Sequence, residues 1–567
     1  MLQTELFVVI GVLVIVLGSV FASRLGVAVP IIVALLGLGV SFLPGMEDFE
    51  VEPELILAVV LPPILYGAAV NMPTTDFRRN FGTISALSVV LVLVSAFGAG
   101  ALIYLVFPNL SFASAVAVGA VISPPDAVAA TSIGKKLGLP TRLVTILEGE
   151  GLVNDATALV LLRSAIAAIG STFSAWDAVV DFGYAVIVAI VIGAVVGLVA
   201  TYFRSRISQV QLTTAVSFVV PFLAYLPAEE LNASGVLSVV TAGLVTGALG
   251  PRKLSAEDRI SERTNWRTIQ LLLENGVFLL MGLQLTHILE GVDSADFGVA
   301  ATIGIGLMAT VALILLRAVF MVPLVYWLGQ NQAKHQDRIT AYKRVISTID
   351  DPERTLHATS PRIERAIRHR VADAKFYVNE GLDWRGGAVL AWSGMRGVVT
   401  LTAAQTLPVD IPYRPQLVLI AFTVAIVTLV LQGGTLPLLI RLLGVRGTPE
   451  EELARERIRL LRELAAATND ALRSPELRRP DGSKFDEKIL QSILDRNTMM
   501  LEQGDAQLLE HTRADGVRAQ HAELQRIVLT TEHAALIEAR SSGTYRSATI
   551  ESAQAVIDNG TMQLGQA

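Results

Sequence analysis

Apolar residues run along this chain in long stretches separated by short polar joints. A helix needs about 20 mostly apolar residues to cross the hydrocarbon core of a bilayer. Thirteen stretches qualify, at roughly 5–22, 26–43, 52–71, 82–107, 112–133, 142–169, 178–203, 209–227, 232–250, 270–289, 297–328, 386–407 and 413–442. The first lacks the basic leader of a signal peptide and is followed almost at once by the second, so it reads as a span. The pattern predicts an all-α polytopic membrane protein. Two segments depart from it. Residues 331–385 form a basic loop, and residues 445–567 mix charge with apolar residues at helical spacing. In that tail Leu453, Ile458, Leu460, Leu461 and Leu464 punctuate Glu450 to Ala467, and Lys488 to Thr512 and Ala519 to Ala539 repeat the pattern. Pro480 and Gly482 mark a break between tail helices. The expected organisation is spans 1–11 over 1–330, the basic loop over 331–385, spans 12 and 13 over 386–444, and a helical tail over 445–567 serving regulation or self-association.

Composition agrees with a chain dissolved mostly in lipid. Of 567 residues, 17% are charged and 52% hydrophobic, and the mean hydropathy is +0.55; soluble proteins carry about 25% charge. Most of the charge sits in the loop and the tail. The absence of cysteine excludes a disulfide framework, a thiol nucleophile, an iron–sulfur cluster and a Cys-based zinc site. A net charge of −6 gives no nucleic-acid footprint. All seven histidines (His287, His335, His357, His369, His511, His521 and His533) fall at a span end or in the polar pieces, which excludes a histidine-ligated metal deep in the bilayer. No cofactor is expected.

Charge also orients the chain, because short cytoplasmic loops retain Lys and Arg. One set of alternate loops holds Arg24; Arg78 and Arg79; Lys135, Lys136 and Arg142; Arg204 and Arg206; Arg252, Lys253, Arg259, Arg263 and Arg267; and the 331–385 insertion. The other set holds Arg414 alone. The N-terminus is therefore expected outside a cell membrane and the C-terminus in the cytoplasm, as an odd number of spans requires.

Ionisable residues inside a span cost about 2.5 to 3.5 kcal/mol each at mid-bilayer, so each one points to function. Four stand out near mid-depth: Asp126 in span 5, Glu150 and Asp155 in span 6, and Arg396 in span 12. Span 5 reads Ser123-Pro124-Pro125-Asp126. Two consecutive prolines remove two backbone donors and push the residues before them out of helical geometry, so the helix must break. Asp126 then falls at the N-cap of the second half-helix. Span 12 offers a counterpart, where Gly394 and Gly397 loosen the helix around Arg396, whose guanidinium can answer carbonyls freed at a half-helix end. Each break lies in the fifth helix of a six-span set, spans 1–6 and 8–13, and the two sets start on opposite faces. That arrangement predicts inverted repeats with two crossed broken helices, the way secondary transporters build ion sites at the midplane. In span 6, Glu150 and Asn154 are four residues apart and share a face, with Asp155 about 100° further round. Asp155 sits where bare charge is expensive, which suits a group that exchanges a proton for a hard cation. Glu150 is the expected partner of Arg396, since a buried arginine needs a carboxylate or carbonyl. The residue types alone also fit a plain capped proline kink and a structural ion-pair cluster.

These residues resemble the sodium/proton exchangers of the NhaP and NHE type, the first branch of the monovalent cation/proton antiporters. Glu150-x-x-x-Asn154-Asp155 is similar to that family's Glu-Ser-Leu-Leu-Asn-Asp signature. Ile122-Ser123-x-x-Asp126 is similar to its Ser-x-x-Asp-Pro segment, Gly394-x-Arg396-Gly397 to its Gly-x-Arg-Gly element, and Leu431-Gln432-Gly433-x-Thr435-Leu436-Pro437 to its last span. The motifs stand in family order between about Glu5 and Gly444. The resemblance implies an ion-binding carboxylate at Asp155 with Asn154 beside it, a helix-crossing carboxylate at Asp126, a structural salt bridge between Glu150 and Arg396, and a homodimer. Asn-Asp, rather than Asp-Asp, implies exchange of one cation for one proton. Three positions depart from the family. Pro125 and Gly151 stand where Thr and Ser are frequent, each removing a hydroxyl, and Ala127 stands where proline usually follows the aspartate.

The expected activity is antiport of Na+, Li+ or K+ against H+ by alternating access, in the service of pH and sodium homeostasis. Asp155 binds either ion, and the core carrying spans 5, 6, 12 and 13 moves against the rest. A cation channel using the same acidic residues is the alternative; it would let Na+ run downhill without moving protons uphill. An intramembrane enzyme is disfavoured, since the chain has no H-E-x-x-H motif and no thiol.

Overall fold

The computed structural model describes residues 2–25, 29–42, 52–169, 175–292, 297–349, 361–479, 481–503 and 515–565. Pro480, His357 and the end of the expected tail helix beyond 503 lie outside them. Every regular element among the described residues is helical. In chain order these are α1 (Leu2–Leu25), α2 (Val29–Ser41), α3 (Pro53–Asn71), α4 (Thr74–Val106), α5 (Phe112–Ile122), α6 (Ala127–Lys136), α7 (Thr141–Ala167), α8 (Ala175–Arg204), α9 (Val210–Glu230), α10 (Gly235–Lys253), α11 (Ala256–Val292) and α12 (Val299–Ile349). They continue with α13 (Pro361–Asn379), α14 (Trp384–Trp392), α15 (Val398–Gln405), α16 (Arg414–Leu443), α17 (Glu450–Leu472), α18 (Glu487–Gln503), α19 (Asp515–Ser542) and α20 (Ser547–Gly565). Counting α5 and α6 as one, nine described segments are long and apolar enough to cross a membrane, and α1 and α2 contribute shorter apolar helices. The remaining apolar stretches fall on α7, which carries several charges, and on the interrupted pair α14 and α15.

The chain divides into two compact units. The first comprises Met1–Leu254, Ser261–Gln330 and Leu382–Gly447. Within it the helices pack as two groups. In one, α3, α8, α9 and α10 close around Tyr66, Ala69, Val220, Ala224, Val239 and Trp266. Helix α11 belongs with them, because the fully buried Arg204 of α8 reaches its Glu262 at 2.8 Å and its Gln270 donates to the Ile64 carbonyl of α3 at 3.2 Å. Helices α2 and α11 approach so closely at Gly37 and Gly282 that a Cβ on either would strike the other's backbone. In the second group α4 to α7 pack with α14 to α16 around an alanine- and valine-rich core that includes Ala117, Val118, Ile146, Leu401 and Phe422. Small side chains let these backbones approach, which is how helices associate where no water drives them together.

The second unit comprises Ser255–Ile260, Asn331–Gly381 and Thr448–Ala567. Its helices bury two apolar clusters, one around Leu460, Leu464, Leu536, Ile550 and Ile557 and one around Leu472, Ile489, Ile493 and Leu524. Two arginines tie distant pieces of sequence inside it. Arg546 meets Glu380 at 3.0 Å, Glu456 at 3.3 Å and Glu452 at 3.7 Å, and Arg259 pairs with Asp558. The tail carries one helix more than its periodicity predicts. Helix α20 is rich in small polar residues, and burial of Ile550, Ala553 and Ile557 against α19 and α17 is what holds it.

Candidate ion-binding site

The helix that begins at Phe112 stops at Ile122, and Ser123, Pro124 and Pro125 carry the backbone out of helical geometry until α6 restarts at Ala127. Asp126 occupies the N-cap, and its Oδ1 accepts from Val128 N at 2.8 Å, answering an amide that the new helix leaves free. Span 12 breaks in the same manner. Helix α14 ends at Trp392, Ser393 to Gly397 are irregular, and α15 restarts at Val398. Ser123 and Ser393 each turn their hydroxyl back onto a carbonyl of the preceding turn, Ala120 at 3.1 Å and Val389 at 2.7 Å.

The two breaks touch. Asp126 N donates to the Met395 carbonyl at 2.5 Å, and Arg396 Nε donates to the Ile122 carbonyl at 3.1 Å. Arg396 also donates through Nη1 to Gly394 O, and its amide donates to Thr428 Oγ1 of α16 at 3.0 Å. Its guanidinium, 2% exposed as a residue, is thus spent on carbonyls that two helix ends leave unpaired. Gly397 allows this contact, for a Cβ there would run into the Asp126 carboxylate.

Helix α7 passes beside the breaks. Asn154, fully buried, donates from Nδ2 to the Pro125 carbonyl at 2.6 Å, while its Oδ1 has no hydrogen-bond partner. Asp155, 9% exposed, lies within electrostatic reach of Asp126. The structure therefore gathers Asp126, Asn154 and Asp155 with the broken stretch Ser123 to Pro125. Gly151 faces the same place, and a Cβ added to it would come 2.9 Å from the Ala127 Cβ. The two helices are thus in contact at this point with no room for a side chain at 151.

One expected pairing is corrected. Glu150, 2% exposed, is held not by Arg396 but by Arg317 of α12, whose Nη1 and Nη2 meet its two carboxylate oxygens at 2.5 and 2.8 Å. Arg317 Nε in turn donates to the Leu390 carbonyl at 3.0 Å, which aims the fork. A carboxylate takes a planar guanidinium two oxygens at a time, and Arg396 is already engaged by carbonyls. Two further span residues escape the four-residue list. Arg317 is one; the other is Glu274 of α11, half-buried and within electrostatic reach of Asp126. The rule that singled out the four, a charge in mid-span, applies to Arg317, whereas Glu274 lies near the start of the span expected at 270–289 and is passed over by it.

Chemically, the place offers oxygens (the buried Asp155 carboxylate and unpartnered Asn154 Oδ1, and the half-buried Asp126 carboxylate), while the guanidinium groups of Arg396 and Arg317 are committed to other partners. Hard monovalent cations favour oxygen ligands of this sort.

Known proteins bear on the family and the fold. The model of the sodium/hydrogen exchanger family, transmembrane, matches residues 10–442. The Na(+)/H(+) antiporter ApNhaP of Aphanothece halophytica is 28% identical over 421 residues, covering 74% of this chain and 70% of its own. An antiporter of Bacillus pumilus described as exchanging sodium, potassium, lithium and rubidium for H(+) is 27% identical over 433 residues, covering 73% of this chain and 58% of its own. The solved structure of the sodium proton antiporter MjNhaP1 from Methanocaldococcus jannaschii superposes with a TM-score of 0.55 at 17% identity, over 78% of this chain and 99% of that one, and so shares the fold. With a family model matched across both broken helices and the helix between them, this chain belongs to the sodium/hydrogen exchanger family of membrane transporters and is not an enzyme.

Proposed function

We propose that the chain exchanges one monovalent cation, Na+ foremost and Li+ or K+ as alternatives, for one proton, with Asp155 taking either ion and Asp126 and Asn154 completing the cation's oxygen shell. The observation that carries this reading is the meeting of two broken helices beside Asp155, with the Asn154 Oδ1 left unpartnered. The breaks supply backbone dipoles, Asp126 is engaged in capping α6 through Val128 N, and Asp155 is left as the carboxylate whose one charge is traded. Obligatory exchange follows if the carrier moves only when Asp155 is neutralised, because a bare anion is costly to carry through hydrocarbon.

The chain crosses a cell membrane thirteen times as inverted repeats with crossed broken helices, N-terminus outside and C-terminus inside, and works as a homodimer in pH and sodium homeostasis. The basic loops support that orientation. The moving part is larger than spans 5, 6, 12 and 13. Ser88 of α4 donates to the Glu150 carbonyl at 3.2 Å, Arg142 of α7 donates to Asn80 of α4 at 2.9 Å, and Arg317 of α12 is bonded to both Glu150 and Leu390. Breaking such buried bonds in each cycle would be expensive, so α4 and the membrane part of α12 travel with α5 to α7 and α14 to α16, against α1 to α3 and α8 to α11.

The test is proton movement in vesicles under imposed Na+, Li+ and K+ gradients, with and without a clamped potential. Uphill proton flux insensitive to the potential is expected, and flux that never runs uphill would instead identify a channel. Asp155→Asn should abolish the flux in protein that still assembles; retained exchange overturns the assignment of Asp155.

A further inference from the structure

The two groups of helices that the proposed function sets in motion are joined by side-chain bonds at one end of the membrane. Arg163, near the end of α7, reaches Glu229, near the end of α9, with Nη2 and Oε2 2.5 Å apart. Gln405, the last residue of α15, donates from Nε2 to Oε1 of Gln284 on α11 at 2.6 Å. In each bond one partner belongs to the moving group and the other to the stationary one. Arg163, Glu229 and Gln284 lie toward the C-terminal ends of helices, and Gln405 at the C-terminal end of the interrupted span α14–α15, whose N-terminal ends border the basic loops, so both bonds sit at the extracellular side in the orientation proposed above.

One partner of each bond is anchored within its own group. Glu229 Oε1 accepts from Gly235 N at the start of α10 at 3.0 Å, which leaves Oε2 aimed at Arg163. The Gln405 carbonyl is gripped by Arg414 Nη2 at 2.7 Å, while Arg414 Nε holds the Leu407 carbonyl at 2.8 Å. At the opposite side the described ion pairs stay inside one group: Lys135 with Glu148 joins α6 to α7, and Arg204 with Glu262 joins α8 to α11.

The bonds that cross differ from the buried pairs that hold each group. Within the groups Glu150 with Arg317 and Arg204 with Glu262 are buried on both sides, while Lys135 with Glu148 is a surface pair. Of the two that cross, one is an ion pair with its arginine side chain 52% exposed and the other joins two neutral amides. Half-exposed pairs and neutral amide bonds are cheap to break and remake, whereas buried bidentate pairs are not. A contact that opens once per turnover has to be of the cheap kind.

We infer that Arg163 with Glu229 and Gln284 with Gln405 form a two-point extracellular latch, closed in this structure, that must open for the site to face outward. The inference rests on alternating access as proposed above. The chain has no native cysteine, so it can be tested in the full-length protein carrying Gln284→Cys and Gln405→Cys. Hydrogen-bonded glutamines hold their backbones farther apart than a disulfide spans, so a short bis-methanethiosulfonate reagent is used to join the pair in vesicles. Joined, Na+-driven proton movement should fall about tenfold or more, because a state the cycle must visit is closed off, and a thiol reductant should restore it in the same sample. Joined protein that exchanges as fast as the reduced protein overturns the latch. Arg163→Cys with Glu229→Cys provides the same comparison at the second point should the first pair fail to assemble. The cysteine-free parent chain, treated identically, reads antiport by itself, so a failure of exchange there is distinguished from a failure of the latch.

Discussion

Glu150 and Arg317 form a two-pronged ion pair with both side chains buried. Removing one member of a buried pair leaves the other charge unanswered and costs about 3 to 5 kcal/mol. Glu150→Gln and Arg317→Gln should each lower the thermal unfolding midpoint of detergent-solubilised protein strongly, and the double variant by clearly less than the sum. The corresponding cycle for Glu150 and Arg396 should show little coupling; strong coupling there would reinstate the pairing that the sequence suggests. That error has a physical origin. Sequence reports how deep a residue lies in a span, and Glu150, Arg396 and Arg317 are all deep, but it does not report which way each side chain turns. A second residue-level expectation lies outside the membrane. Burial pushes the Glu532 carboxyl up to about 7. From the ordinary carboxylate range up to that value the folded unit holds a proton that the unfolded chain has released, so stability declines as pH rises through that window. Glu532→Gln should flatten this decline and be the more stable form at pH about 8, as read by unfolding midpoints at several pH values; parallel curves would remove Glu532 from the account.

Among the elements, the break in span 5 is suggested by Pro124 and Pro125, whose missing donors weaken the helix locally; Pro62 and Pro63 are carried inside α3 behind a π-helical turn at Ile56–Val60, so the double proline needs its surroundings to become a break. The break in span 12 is less strongly written. Glycines permit it, but what holds it is distant: the Met395 carbonyl taken by Asp126 N, and Arg396 turned onto Ile122 O. Gly397→Ala tests that dependence, since its methyl would collide with the Asp126 carboxylate. Overpacking of this kind costs about 1 to 3 kcal/mol, and exchange should fall while the protein still inserts. Gly434→Ala on α16, which meets open space, should leave both stability and flux unchanged. Similar effects from the two substitutions would argue against a tight contact between the breaks. Helix α20 marks the opposite limit of legibility, a segment whose own sequence hardly asks to be helical and whose fold comes from the apolar faces of α17 and α19.

At the level of the whole chain, the apolar pattern separates membrane from polar regions because bilayer thickness imposes a length that sequence displays directly. The pattern does not display how the pieces of the second unit find one another. Residues 331–381 and 448–565 are separated by two spans, and Arg546, held by Glu452 and Glu456 of its own stretch, joins them through Glu380 beside the packing of α13 on α19. Arg546→Ala should therefore expose that unit to limited proteolysis well before the membrane helices are affected, with cleavage appearing in both stretches together. Cleavage confined to the tail would show that the connection is held elsewhere.

The contact of Gly151 with Ala127 ties together the two helices that carry the carboxylates. Any side chain entering at 151 brings its Cβ to 2.9 Å from that of residue 127, closer than side chains pack, so α6 and α7 would have to part. The bare backbone at 151 therefore sets how near the helix capped by Asp126 lies to the helix that bears Asp155, and a substitution there would reset that spacing.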